Sequence, residues 1–435
     1  MTITERVGAA ADVPHLAGLA VAALRGVRLP DGSLGDVVLD GGRIAQPGAP
    51  VPAGGADLDA TGWRVLPAAC EPHAHLDKVL TAPRVDPGAG NDLDTAITQW
   101  RAILPSIDAA DIAARALTGL GRYLARGITT VRTHVDVPLE GDPMRAVDPL
   151  LALREQLRGR MTLQVCLLAG WEVPDEVIAE GVARGVDVVG GAPHLAPDPH
   201  HQTTRLLDVA ERHGLPVDLH ADEQTDLPAD GPLDIEDMAR QVLDRGLTGR
   251  VTASHCVRLG VLPPERLTPV LDLVARAGLG IVTLPITNLY LQGRESTHLV
   301  PRGLTAVRRI LDAGIPLAAG ADNVRDPFNP MGRSDPFETT SLLVTAGHLR
   351  PSEALAAVTD GARTVLGLPR AGTAPGDVAD LILLPDGDLG DVLAGAEEAR
   401  VVLSEGRVVA DTRVARTLDL PTSPDPSRRP TALAR

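Results

Sequence analysis

His73 and His75, spaced as His-Ala-His, are the first residues of this chain whose type and spacing suggest chemistry. In an extended strand, side chains two apart point to one face, so both imidazoles would aim the same way. Two neutral imidazoles make a chelating pair for zinc or ferrous iron. Such a pair alone also fits two loop histidines. Three further polar clusters sharpen the signal, each at the end of an apolar stretch: Asp218-Leu219-His220-Ala221-Asp222-Glu223, Ser254-His255-Cys256 and Gly320-Ala321-Asp322-Asn323. If those ends meet, His73, His75 and His220 supply three nitrogens and Asp322 one carboxylate oxygen. One divalent ion (zinc or iron, with manganese as a third candidate) held this way keeps a position open for water, as a catalytic site requires.

Bringing the four ends together needs a repeating scaffold. Eight β-branched or apolar stretches alternate with amphipathic helical ones. They are WRVLPAACEPHAH, GITTVRTHV, MTLQVCLLAG, VDVVGGAPH, LPVDLHADE, RVTASHC, LGIVTLP and IPLAAGADN. Helical stretches such as DAADIAARALTGLGRYLARG and PERLTPVLDLVARAG close on a glycine, as a C-terminal cap would. Eight such units over residues 66–375 predict an α/β fold, a (β/α)8 TIM-type barrel with its site at the C-terminal strand ends. A doubly wound sheet would call for a glycine-rich phosphate turn after the first strand, and none is present. Hairpin signals at Asp31-Gly32 and Gly41-Gly42 precede this region, and short strands return after it. A small β-sandwich domain built from residues 1–65 and 376–417 is expected, with residues 418–435 as a loose tail.

Bulk composition narrows the function. Aromatics are only 2% of the residues, so Ala, Val, Leu and Ile must build the core. A formal charge of −16 repels nucleic acid and anionic membranes, leaving a small molecule as the expected partner. Three dispersed cysteines, no run of membrane-span length and an N-terminus unlike a signal peptide point to the cytoplasm. A homo-oligomer is compatible with a barrel of this size.

The motifs EPHAHLDK, HADE, TASHC, LPITNLYLQGR and ADNVRDPFNPMG resemble the cytosine deaminase branch of the amidohydrolase superfamily, from about Leu66 to Pro385. The resemblance implies one metal ion on His73, His75, His220 and Asp322, with His255 bonded to its water and Glu223 shuttling protons. The chemistry agrees: a metal ion lowers the pKa of water, and hydroxide can attack the carbon of a C–N unit. Glu223 is placed to pass the water proton to a ring nitrogen or leaving amine, while His255 steadies the oxyanion and Asp322 holds the nucleophile's proton. Binuclear relatives carry a lysine after the third or fourth strand; LLAGWEVP and GGAPHLAP have none, which favours a single ion. Asp77 could orient a ligand imidazole from behind or start a helix. His134 and His194 line the mouth or pack, His200 and His201 lie in a polar loop and read as surface, and Gln292 and Arg294 order the loop after the seventh strand or contact substrate.

The substrate wall departs from the cytosine pattern. No glutamine follows the third strand, where the chain reads Leu168-Ala169-Gly170-Trp171-Glu172; Asn323 replaces a carboxylate and Phe328 a tryptophan. Without that amide a ring edge goes unread, while Trp171 offers a stacking surface, so Trp171, Asn323 and Phe328 are the candidate substrate contacts and cytosine is disfavoured. The reaction expected is hydrolytic deamination of a nucleobase-like or other nitrogen heterocycle, releasing ammonia. HLDK also resembles triazine-degrading enzymes, so removal of an alkylamine from an N-substituted triazine, or opening of a cyclic amide, is the alternative. A non-catalytic barrel would be expected to have lost a ligand, and the set is complete.

Overall fold

The computed structural model describes residues 15–86, 92–225, 231–247, 249–294, 297–298, 301 and 303–414; the expected tail lies outside them. Near the start, Gly41 and Gly42 both take positive φ, 55° and 78°, between paired strands Leu34–Asp40 and Arg43–Ile44. A two-residue hairpin of that hand needs residues without a Cβ penalty, which is why the Gly-Gly signal was readable. The strands of both chain ends form one continuous mixed sheet, in the order Arg407–Thr412, Arg400–Ser404, Leu381–Pro385, Trp63–Pro67, Val21–Arg28, Leu34–Asp40, Arg43–Ile44. The expected sandwich takes this form, with a bridge between Ala20 and Arg407 drawing the sheet round a core that includes Leu24, Val65, Leu381 and Leu403.

The stretch expected as one strand, WRVLPAACEPHAH, is two. Trp63–Pro67 pairs with Leu381–Pro385 in the mixed sheet, and Ala69–Ala74 pairs with Ile128–Asp136 in the barrel. The switch occurs across one residue: Ala68 N donates to Asp380 O, and Ala69 N donates to Gly127 O. Apolarity is continuous over both pieces, so composition alone could not show the change of partner.

The barrel strands are β1 (Ala69–Ala74), β2 (Ile128–Asp136), β3 (Thr162–Leu168), β4 (Val188–Gly191), β5 (Val217–Ala221), β6 (Val251–His255), β7 (Gly280–Thr283) and β8 (Leu317–Ala319). Each is parallel to the next. A parallel bridge between Ala74 and Asp322 joins the two ends of the series. Helices Asp175–Arg184, Pro199–His213, Asp234–Arg245 and Pro264–Ala277 each end on a left-handed glycine, Gly185, Gly214, Gly246 and Gly278. Only glycine enters that conformation cheaply, so these caps were legible. Helix Leu93–Ile103, between β1 and β2, was not foreseen and covers one side of the barrel mouth. Among the described residues no helix is long and apolar enough to cross a membrane.

Candidate active site

β1 carries the His-Ala-His pair, but the pairing slips along it: Glu71 faces Val131 and Ala74 faces Thr133 across a bulge. Pro72 has no N–H to give to a ladder, and bulges of this kind re-aim side chains. His73 and His75 are both buried. His73 Nε2 lies 3.1 Å from His220 Nε2, which lies 3.5 Å from His75 Nε2; Asp322 Oδ1 is 3.3 Å from His75 Nε2 and 3.9 Å from His73 Nε2. Ligand atoms of His73, His75 and His220, and separately those of His73, His255 and Asp322, fall within 4.8 Å of one another.

Three features make this cluster fit a cation. Burial, followed by the neighbouring imidazoles, pushes His73 and His220 well below the usual histidine range, and burial followed by the Lys78 charge does the same to His75, so the rings are neutral. Asp322 Oδ1 is buried without a hydrogen bond, and its carboxyl is pushed well up by burial and by nearby acids, Glu223 foremost. The tautomer of His73 is also set: Ser254 Oγ donates to Asp218 Oδ1 at 2.6 Å, so that oxygen accepts from His73 Nδ1 at 3.0 Å and leaves Nε2 with its lone pair. Asp218 is tied in turn to Arg132 at 2.9 Å, and His134 stacks on His73 with centroids 3.8 Å apart. His194 Nδ1 anchors the β5 end on His220 O at 3.2 Å.

Asp322 owes its position to residues outside the expected set. Glu71 Oε2 accepts from Ala321 N at 2.8 Å, and its Oε1 accepts from His73 N at 3.3 Å. Gly320 makes room for this carboxyl, since a Cβ there would stand 2.0 Å from Glu71 Oε1. Asp322 (φ 67°) and His255 (φ 72°) are both left-handed, a conformation costly for residues with a Cβ and concentrated at functional sites. The short helix Pro285–Leu291 braces both. Thr287 Oγ1 donates to Ala321 O and accepts from Asn323 N, and Asn288 Nδ2 donates to His255 Nδ1 at 3.0 Å. With Nδ1 accepting, His255 carries its proton on Nε2, which is buried with no partner.

Glu223 is buried beside this group, 3.6 Å from both His255 Nδ1 and His194 Nε2, and burial pushes its carboxyl up to about 8. A cavity of about 630 Å3 opens over these residues. His75, His220, Glu223, His255, Asp322, Asn323 and Phe328 all line it. Trp171 does not; its neighbours Gly170 and Glu172 do, and Trp171 itself is 45% exposed. Trp100, on the helix that was not foreseen, supplies an indole to the wall instead. Asn323 Nδ2 donates to Asp326 Oδ2 at 2.8 Å, which fixes the amide.

Asp77 binds the backbone N–H groups of Lys78 and Asp136 rather than an imidazole. The contact on His75 comes from Lys78, whose Nζ is 3.2 Å from Nδ1, 3.0 Å from Asp136 and 5.3 Å from the Trp100 ring centre. Burial opposes the Lys78 charge, but Asp136 and Asp77 outweigh it and raise its pKa. His200 and His201 are exposed as expected, in the first turn of helix Pro199–His213 rather than a loop. Gln292 Oε1 accepts from Thr225 N at 3.3 Å. Glu71, Asp218, Ser254, Thr287 and Asn288 were quoted within motifs or strand ends but given no part, since their partners lie far off in sequence.

The chain is similar to known proteins over most of its length. A family model described as the amidohydrolase family matches residues 90–410. A pterin deaminase of Rhizobium rhizogenes is 32% identical over 388 residues, 86% of this chain and 87% of that protein. The N-isopropylammelide isopropyl amidohydrolase of a Pseudomonas species is 26% identical over 408 residues, covering 88% and 95%. Among solved structures, 5-methylcytosine deaminase from Klebsiella pneumoniae liganded with 5-fluorocytosine superposes with a TM-score of 0.80 at 28% identity, over 91% of this chain and 98% of that one.

Proposed function

This chain belongs to the amidohydrolase family, and from that footing we propose that it is a single-metal hydrolytic deaminase of a nitrogen heterocycle, with fused two-ring substrates such as aminopteridines foremost. The observation that carries the reading is Glu223, a buried carboxyl that holds its proton to about pH 8, set beside the histidine–aspartate cluster on a deep cavity. His73, His75, His220 and Asp322 are the residues to hold one divalent ion, zinc or iron, with manganese a third candidate. When bound, such an ion supplies a Lewis acid and lowers the pKa of water toward neutrality.

The chain's own residues do the rest. Phe328 and Trp100 give the ring apolar surface, and Asn323, held by Asp326, presents a fixed amide to its edge. Water adds to the ring carbon that bears the amino group. Glu223 gives its proton to the ring nitrogen as water adds; the carboxylate so formed takes one proton from that water and passes it to the amino nitrogen, then recovers the second as the C–N bond breaks, leaving ammonia and a carbonyl. His255 donates its Nε2 proton in a hydrogen bond to the oxygen as the tetrahedral centre forms. Three buried, unpaired cysteines suit a reducing compartment such as the cytoplasm.

The test is ammonia release by metal-replete protein from aminopteridines, aminopurines, aminopyrimidines and aminotriazines. Turnover of at least one class is expected, and ammonia from none overturns the reading. A second reading, loss of an alkylamine, is favoured by the Pseudomonas relative and by apolar walls that could enclose an alkyl group. Product masses separate the two.

A further inference from the structure

The cavity extends well beyond the metal cluster. Its volume of about 630 Å3 lies among sites that enclose drug-sized ligands, about 300–1,000 Å3. One wall is the segment after β2, from Asp136 through Val137, Leu139 and Gly141 to Arg145. Three cations line the cavity. Lys78 is committed to Asp77 and Asp136, and Arg101 stands 3.7 Å from Glu172. Arg145 is different: it is half-buried and makes no ion pair and no side-chain hydrogen bond among the described residues. Its backbone is well held between buried Met144 and Ala146, with Arg145 N donating to Asp142 O and Met144 N to the Asp142 carboxylate.

The other charges on these walls leave Arg145 open to a ligand. Glu172 is taken by Arg101 and Asp136 by Lys78. Glu140 is exposed at the rim, where water and salt screen it. A guanidinium on a firm base, free of protein carboxylates, offers a planar fork that matches carboxylate or phosphate oxygens. In a chain of net charge −16 it is also a local exception to the prevailing sign.

We propose that Arg145 is a recognition site for an anionic substituent on the heterocycle, a carboxylate or a phosphate ester, held away from the ring carbon that reacts. This rests on the deaminase reading for its ring but not for its measurement. The experiment compares a 2-amino-4-oxopteridine with its ring-carboxylated and phosphate-ester derivatives, in metal-replete wild type, Arg145→Lys and Arg145→Gln, by calorimetric binding and by ammonia release. An acidic derivative is expected to bind wild type more tightly than the parent, and Arg145→Gln should cut that preference by about 10- to 100-fold, with partial recovery in Arg145→Lys. The derivative with the larger loss identifies the anion. Equal preference in wild type and Arg145→Gln overturns the proposal, as does a parent that binds as tightly as both acids. Binding without ammonia from any of these compounds overturns deamination of pteridines instead, and the preference measured by calorimetry still decides the role of Arg145.

Discussion

At neutral pH a carboxyl of ordinary pKa has lost its proton, whereas Glu223, pushed up to about 8 by burial, has kept it. It can then donate that proton to a ring nitrogen and, as the carboxylate so formed, take one from water for the leaving amine. Replacing it by glutamine keeps the shape and removes the proton traffic, so kcat is expected to fall about 10²- to 10⁴-fold while metal content, read by elemental analysis, is unchanged. Asp326 makes a second residue-level prediction. Burial raises its carboxyl to about 7 against the hydrogen bond from Asn323 and the Lys78 charge. A folded pKa above the unfolded one means the stability it contributes is complete below about pH 4 and is lost as pH rises through 7. Asp326→Asn should therefore gain on wild type between pH 5 and pH 8, by about 1–3 kcal/mol in denaturant titrations. An unchanged difference across that range would refute the assignment.

Among the elements, the short helix Pro285–Leu291 does what its length does not advertise. Thr287 grips the backbone on both sides of Asp322, and Asn288 sets the tautomer of His255. Asn288→Leu should lower kcat about 10- to 100-fold, the cost of losing one such bond, with a smaller change in KM; Asn288→His, which can still donate, should recover part of it. The β1–β8 seam is equally specific. A methyl at Gly320 collides with Glu71, so Gly320→Ala should destabilise by roughly 2–5 kcal/mol and reduce metal content. Elements of this kind divide what the sequence could reveal from what it could not. Strand ends were readable because His73, His75, His220 and Asp322 each fall at or just past the end of an apolar run, whereas the bulge in β1 and the left-handed backbone at Asp322 leave no such pattern. The grip of Thr287 and Asn288 was not, because a hydrogen bond to a residue 33 or 34 positions away leaves no local pattern. Trp171 was placed in the cavity wall by its type, which suggested stacking, but type does not say which of Gly170, Trp171 and Glu172 line the cavity.

For the molecule as a whole, the eight repeats and the glycine caps announced the barrel, and the two chain ends announced the smaller sheet. The point of exchange, Ala68, was hidden inside one apolar run, and the helix Leu93–Ile103 was not foreseen. Because the four proposed ligands come from the ends of three strands far apart in sequence, removing an ion held there should loosen more than the site. Chelation is expected to abolish turnover and lower Tm by several degrees, with recovery on adding back zinc, iron or manganese; binding at a hundred times Kd contributes about 2.7 kcal/mol. Scanning calorimetry with and without chelator measures it, and an unshifted Tm would place the ion elsewhere.

Glu71 and the backbone it holds at Ala321 are 250 residues apart, and between them runs nearly the entire barrel. His73, His75 and His220 leave the ribosome long before Asp322 does, so a growing chain has imidazoles to offer any passing ion but no closed ring to hold it in. Long-range pairings of this order form late and slowly. The proposed metal site is thus complete only once β1 and β8 have met, and such an enzyme would not be armed until the barrel had joined its own beginning to its end.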